Sequence, residues 1–238
     1  MSTTVVTVFY ELAKSKHQTD KYIEWASNFF RSVTSPTVCY TTRGFKKIFS
    51  EFVKHDNVIF DTSKQLNDWK ISNEHDWEKQ YELDPERYHS PDLYKAWAIK
   101  QEAVMETIRC NPFCSTTFVW CDIGCFRYDD GPTGFASIPP EIQAESGWFA
   151  CLSISNTIGG GVLAGDAVGW SEFSSLYLQE LNSMVQQGVF IGKDQDVYKR
   201  CNLKMKSVTT VYDAKHWGHH GDSDWFYLVF LFSARTPC

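Results

Sequence analysis

The first half of the chain alternates two apolar rhythms, and that alternation restricts the fold more than any other feature. Four short runs are dominated by β-branched and aromatic residues: Thr3–Phe9 (TTVVTVF), Thr37–Thr41 (TVCYT), Asn57–Phe60 (NVIF) and Thr116–Cys121 (TTFVWC). A strand covered on both faces reads this way. Between them, apolar residues recur at helical spacing. Tyr22, Ile23, Ala26, Phe29, Phe30 and Val33 form one face, with Thr19 or Asp20 available as a cap. Gly44–Lys54 reads as a second, shorter helix. Ser90-Pro91-Asp92 opens a third with a capping hydroxyl, a proline at the first position and an acid in the first turn. Its apolar face is Tyr94, Trp97, Ala98, Val104, Met105 and Ile108, and Asn111-Pro112 ends it. Strand–helix alternation of this kind predicts an α/β protein with an open, mostly parallel sheet flanked by helices. Residues 61–89 show no period and read as an irregular excursion with short helices.

The second half is more mixed. Ala150–Ser155 reads as a strand and Gly159–Gly161 as a mobile or closely approached loop. Ser171 is expected to cap a helix with Phe173, Leu176, Tyr177, Leu181, Met184 and Val185 on one face, ended by Gly188. Val208–Tyr212 and Phe226–Phe232 read as the last strands. The chain has 238 residues and no linker-like stretch, which favours one domain.

Charge and composition remove several function classes. The net charge is −6, so a general nucleic-acid binder is not expected. No segment approaches the roughly 20 apolar residues of a membrane span. The first residues lack the basic start and long apolar stretch of a signal peptide. Eight cysteines without such a signal fit reduced thiols in a cytoplasmic setting. Aromatic residues make up 16% of the chain, enough to fill a core and leave a few to line a site. Tyr10, Trp148, Trp217 and Trp225 are the candidates for lining.

Ligands of open α/β sheets bind beyond the carboxyl ends of the strands. The residues there are Tyr10-Glu11, Thr41-Thr42-Arg43, Asp61-Thr62 and Asp122-Ile123-Gly124. No GxGxxG follows the first strand and no GxxxxGK[ST] occurs anywhere, against dinucleotide and P-loop sites. Asp122, directly after an apolar strand, can hold a divalent cation against a diphosphate. Gly124 allows close backbone approach. The plain alternative is an aspartate in a turn. Lys100 flanks the buried face of its helix and can reach a phosphate or sugar hydroxyl, or can simply snorkel. The glycines of Asn156–Asp166, among them Gly160 and Gly161, permit a close approach or make a flexible turn. Asp194 and Asp196 suit a helix start and also a catalytic or acceptor-binding role. His216, His219 and His220 gather near Asp222 and Asp224, as a transition-metal site or a surface cluster. Cys110, Cys114, Cys121 and Cys125 have spacings that fit no common zinc module.

The stretch from Leu93 to Arg127 resembles the bacterial HtrL/YibB family. The residues that carry the likeness are Lys100, the turn Asn111-Pro112-Phe113, and Trp120-Cys121-Asp122-Ile123-Gly124. The N-terminal VVTVFYEL and Gly221-Asp222-x-x-Trp225 are also similar. That family resembles GT-A-type glycosyltransferases, which implies a GT-A-like domain over 1–238, with a nucleotide-binding half (1–125) and an acceptor-side half (126–238). It implies that Asp122 is the first acid of an Asp-x-Asp metal motif, with Gly124 where the second acid would stand. Water or the His216–Asp224 segment, with His219 and His220 as ligands, would complete the shell of Mn²⁺ or Mg²⁺. The glycine run resembles an acceptor-side loop, and Asp194-Gln195-Asp196 an acidic motif near the reacting carbon.

The expected reaction is sugar transfer from a nucleoside-diphosphate sugar, of UDP or GDP type, to a hydroxyl of a glycan or glycoconjugate. The cation, with Lys100 or Arg43, would neutralise the leaving diphosphate. Tyr10 and Thr41–Arg43 would contact base and ribose, and Asp194 or Asp196 would orient or deprotonate the acceptor. Alternatives are a sugar-nucleotide hydrolase or nucleotidyltransferase, a non-catalytic sugar-binding module, and an interaction protein without a nucleotide site.

Overall fold

The β-branched run Thr3–Phe9 becomes β1, and it lies within a seven-stranded sheet. The computed structural model describes residues 2–127, 138, 143, 145–154, 157–206, 209–213, 225 and 227–232, without the side chain of residue 230. Strands β2 (Thr37–Thr41) and β4 (Thr117–Cys121) flank β1 and run parallel to it. β3 (Val58–Asp61) extends the parallel half at one edge. β6 (Thr157–Gly165) runs antiparallel to β4 and to β5 (Phe149–Ile154), and β7 (Thr209–Asp213) runs parallel to β5. The order is β3-β2-β1-β4-β6-β5-β7. The chain winds outward from β1 to β3 and then returns to the other side of β1 as β4. That reversal leaves a crevice between the ends of β1 and β4, the position where such sheets take ligands.

Each sheet face carries its own apolar layer. On one face Val5, Phe9, Val119 and Cys121 pack with Ala26, Phe29 and Phe30 of α1 (Thr19–Ser32) and Phe49 of α2 (Arg43–Ser50). On the other, Val6, Phe118 and Trp120 pack with α5 (Pro91–Ala98), α6 (Lys100–Cys110), α7 (Ala167–Gln186) and α8 (Asp194–Asn202). The alternation of side chains along each strand produces this division.

Local chemistry sets the helix ends. Thr42 caps α2 by accepting from the Phe45 amide at 3.3 Å, and Ser90 caps α5 by accepting from Leu93 at 3.3 Å. Asn111 ends α6 in the left-handed region at φ 35°. The helix expected from Ser90 to Asn111 is two helices, broken at Ile99. Neither Thr19 nor Asp20 caps α1: Gln18 precedes the helix, and the Thr19 hydroxyl donates to Glu11 at 3.0 Å. Asp166, not Ser171, caps α7, accepting from the Gly169 amide at 2.7 Å.

Two further expectations are corrected, and one, the short helices of the excursion at 61–89, is met. Gly159–Gly161 lies inside β6 and is not a loop. The excursion at 61–89 contains α3 (Lys70–Glu74) and α4 (Trp77–Leu83), and buries Trp69 and Trp77 completely or nearly so. The apolar run after Trp225 is a helix, α9 (Tyr227–Phe232), whose Leu228, Val229 and Phe232 are buried against the face that carries α1. An apolar run of that length does not distinguish strand from helix by period. Among the described residues, no helix is long and apolar enough to cross a membrane.

Candidate active site

The crevice between β1 and β4 opens into a cavity of about 600 Å³, within the range of small-molecule sites. Its buried side is built from three charged residues that come from separate elements. Lys100 opens α6 just after the break at Ile99, Asp122 follows β4, and Asp194 opens α8. Lys100 and Asp194 are only 3% and 5% exposed.

The Lys100 ammonium lies between the two carboxylates. Its Nζ is 3.1 Å from Asp122 Oδ1 and 2.8 Å from Asp194 Oδ2, and it donates to the Gly160 carbonyl at 2.9 Å. Asp122 Oδ1 also accepts from Trp120 Nε1 at 2.9 Å. The ammonium is thus enclosed by two carboxylates and a backbone carbonyl. The contact to Asp194 Oδ2 is short but poorly aligned, so this buried oxygen has no well-formed hydrogen bond among the described residues.

Burial alone would pull the Lys100 pKa down, but Asp122 and Asp194 outweigh it and hold the ammonium above its ordinary value. Burial, with Asp194 beside it, raises the Asp122 carboxyl above its ordinary value against the pull of Lys100 and Trp120. With 38% of its side chain open and an ammonium at 3.1 Å, we read Asp122 as ionised.

The glycines of β6 now have a physical reason. A Cβ on Gly160 would collide with the Asp194 carboxylate and sit 3.2 Å from Lys100 Nζ. A Cβ on Gly161 would lie 3.2 Å from Cys125 Sγ. Only bare backbone lets the cluster close over the strand.

The cluster bears on the expected metal. The described residues contain no group of three His, Cys, Asp or Glu side chains able to hold an ion. A divalent cation about 4 Å from the ammonium would meet a repulsion of roughly 8 kcal/mol at an effective dielectric near 20. The described donor set therefore does not fit a divalent ion; it fits the ammonium it already holds. His216, His219 and His220, with Asp222, Asp224 and Trp217, lie outside the described residues.

Of the other expected residues, Tyr10 and Gly124 line the cavity, as does Trp225. The Tyr10 hydroxyl donates to the Lys64 carbonyl at 3.0 Å and accepts from Trp69 Nε1 at 3.1 Å. Burial pushes its pKa well up, so it stays a neutral phenol. Thr41 and Arg43 do not line the cavity. Thr41 is buried and donates to the Phe9 carbonyl at 2.8 Å, while Arg43 begins α2 on the surface. Asp196 is exposed on α8, outside the lining, and Trp148 is core. The structure adds Lys16, Trp97, Arg127 and Lys193 to the lining. Lys16 follows the first strand end by several loop residues, which is the one sequence signal for it. The position of Arg127 over Trp25, 3.5 Å from the ring centroid, depends on tertiary packing alone.

No protein-family model matches the chain, and no curated protein is significantly similar to it in sequence. The likeness to the HtrL/YibB family therefore rests on its motif residues. The fold is similar to that of mouse xyloside xylosyltransferase 1 in its apo form, with a TM-score of 0.52 and 13% identity over 97% of this chain and 94% of that one. The expected fold class, a mostly parallel α/β sheet flanked by helices, stands.

Proposed function

We propose that the chain is a glycosyltransferase that moves a sugar from a nucleoside-diphosphate sugar to an acceptor hydroxyl. The observation that carries this reading is the buried Lys100–Asp122–Asp194 cluster at the β1/β4 crevice, in a fold similar to that of a xylosyltransferase. Carboxylates fixed by a buried ammonium are rigid acceptors for sugar hydroxyls, and rigidity is what orientation of a reacting sugar requires. Asp194, which lines the cavity and is held by Lys100, receives one such hydroxyl. Asp122, more open to the cavity, receives another. Tyr10 and Trp97 offer ring faces and edges to the rest of the donor.

These roles revise the sequence expectations in two respects. Lys100, buried between the two carboxylates, orders them and is not offered to the leaving diphosphate. Asp194 takes the role that was open between it and Asp196.

The test is incubation with a panel of UDP and GDP sugars and simple glycoside acceptors, reading nucleoside diphosphate release and glycoside product together. Asp194→Asn and Asp122→Asn are expected to lower kcat/KM by about a hundredfold or more, as loss of a fixed polar group at a reacting centre does. Release of free sugar without glycoside product would identify a hydrolase instead. Product carrying a nucleoside monophosphate would identify a nucleotidyltransferase. Absence of any turnover across the panel would end the reading.

A further inference from the structure

The diphosphate of such a donor needs a counter-charge, and Lys100 cannot supply it. Its ammonium is enclosed by Asp122, Asp194 and the Gly160 carbonyl. Among the described residues, the other cations of the cavity are Lys193, Arg127 and Lys16. Lys193 is paired with Glu86 at 2.6 Å. Arg127 donates to the Gly124 carbonyl at 2.7 Å and stacks on Trp25.

Lys16 differs from all of these. It sits in the loop between β1 and α1, with its Nζ 4.8 Å from the Trp97 ring centroid. Among the described residues it has no carboxylate in ion-pair contact. Desolvation pulls its pKa down, while Asp194, Lys193, Glu86 and Lys100 act on it from around the same cavity. An ammonium held over an aromatic face beside a cavity, with no acid of its own, is suited to an anion brought by the ligand.

We propose that this cavity binds the diphosphate of its donor through fixed ammonium groups and not through a divalent ion: Lys16 receives the phosphate, and Lys100 occupies the place between the carboxylates that a metal would need. The inference rests on the donor reading above and adds to it the residue that holds the phosphate and independence from metal.

The experiment is calorimetric titration of the full chain with UDP and with GDP, in EDTA and again in millimolar MnCl₂. For the nucleotide that binds, the Kd in EDTA is expected within about twofold of the Kd in Mn²⁺. Lys16→Ala is expected to weaken binding tenfold or more, and Lys16→Arg to restore most of it. Lys16 is exposed and makes no core contact, so both variants should fold. Binding that is lost in EDTA and restored by Mn²⁺ would overturn the inference while leaving the glycosyltransferase reading intact. Unchanged affinity in Lys16→Ala would overturn the assignment of Lys16. Metal-free binding without sugar transfer would leave the inference standing and remove transfer. If neither nucleotide binds in either condition, both fall together.

Discussion

At Gly160 a single hydrogen atom separates a working cluster from a clash. Gly160→Ala would push a methyl group into the Asp194 carboxylate and against Lys100. Overpacking of this kind costs about 1–3 kcal/mol. Catalysis should suffer more than stability, because the displaced group is the one proposed to hold the sugar. A melting curve beside a kcat/KM measurement checks this, and a variant with wild-type kcat/KM would contradict the placement of Asp194. Lys100→Met keeps the length of the side chain and removes its charge. It leaves two carboxylates facing each other, so a loss of roughly 3–5 kcal/mol is expected at neutral pH. The vacated space between two acids is then a cation site, and millimolar Mg²⁺ or Mn²⁺ should return part of that stability in the variant and none in the wild type. Thermal denaturation with and without the ions decides it. Asp122 and Asp194 were legible in the sequence because each stands at an element boundary, and Lys100 because it flanks the apolar face of its helix. What Lys100 does was not legible, since its partners arrive from 22, 60 and 94 residues away. Thr41 and Arg43 obeyed the same strand-end rule and still miss the cavity, because β2 lies one strand away from the crevice and Thr42 turns the chain into α2.

Among the elements, the excursion after β3 is the least legible and has the clearest pH signature. Its burial depends on Trp69 and Trp77 fitting against α5 and α6, which no local period encodes. Its far end is tied down by Asp84, which accepts from the Tyr94 hydroxyl at 2.7 Å and lies 2.9 Å from His89 Nδ1. Burial pushes the Asp84 carboxyl up, but the hydrogen bonds from Tyr94, the Glu86 amide and His89 win and bring it down from 3.8 to about 2. A carboxylate with a depressed folded pKa contributes stability above its unfolded value and loses it as pH falls through the folded one. The window is therefore about pH 4 to pH 2, and the loss is about 2 kcal/mol. Asp84→Asn should flatten that step in a plot of Tm against pH; a step of unchanged size would assign it to another group. Strands β1, β2 and β4 were legible because both their faces are buried, which leaves an unbroken apolar run. The same unbroken pattern misleads after Trp225, where α9 takes the place of a strand. There Leu228→Ala should cost about 2–5 kcal/mol, as a fully buried position does, and a cost near zero would argue against the burial of α9.

At the scale of the molecule, the nucleotide-side and acceptor-side halves read from the sequence share one sheet. β4, the last strand of the first half, pairs with β1 on one side and with β6 of the second half on the other, through Phe118–Gly165, Val119–Ala164, Trp120–Leu163 and Cys121–Val162. The helices follow the same pattern, since α6 packs against α7 and the apolar layer around Trp120 draws on both halves. The charged cluster is divided likewise, with Lys100 and Asp122 from one half and Asp194 and Gly160 from the other. A chain cut after residue 125 would expose the free edge of β4 and the α6 face that α7 covers. Exposed edges of that kind invite self-association. Residues 1–125 expressed alone are therefore expected not to fold cooperatively, whereas the full chain should unfold in one transition, with far-UV circular dichroism and tryptophan fluorescence superimposing. Two separated transitions in the full chain, or a cooperative melt of the fragment, would show that the nucleotide-side half is a domain in its own right. The cluster of Lys100, Asp122 and Asp194 would then form only when two independently stable units meet, and its rigidity would depend on their docking instead of on a continuous sheet.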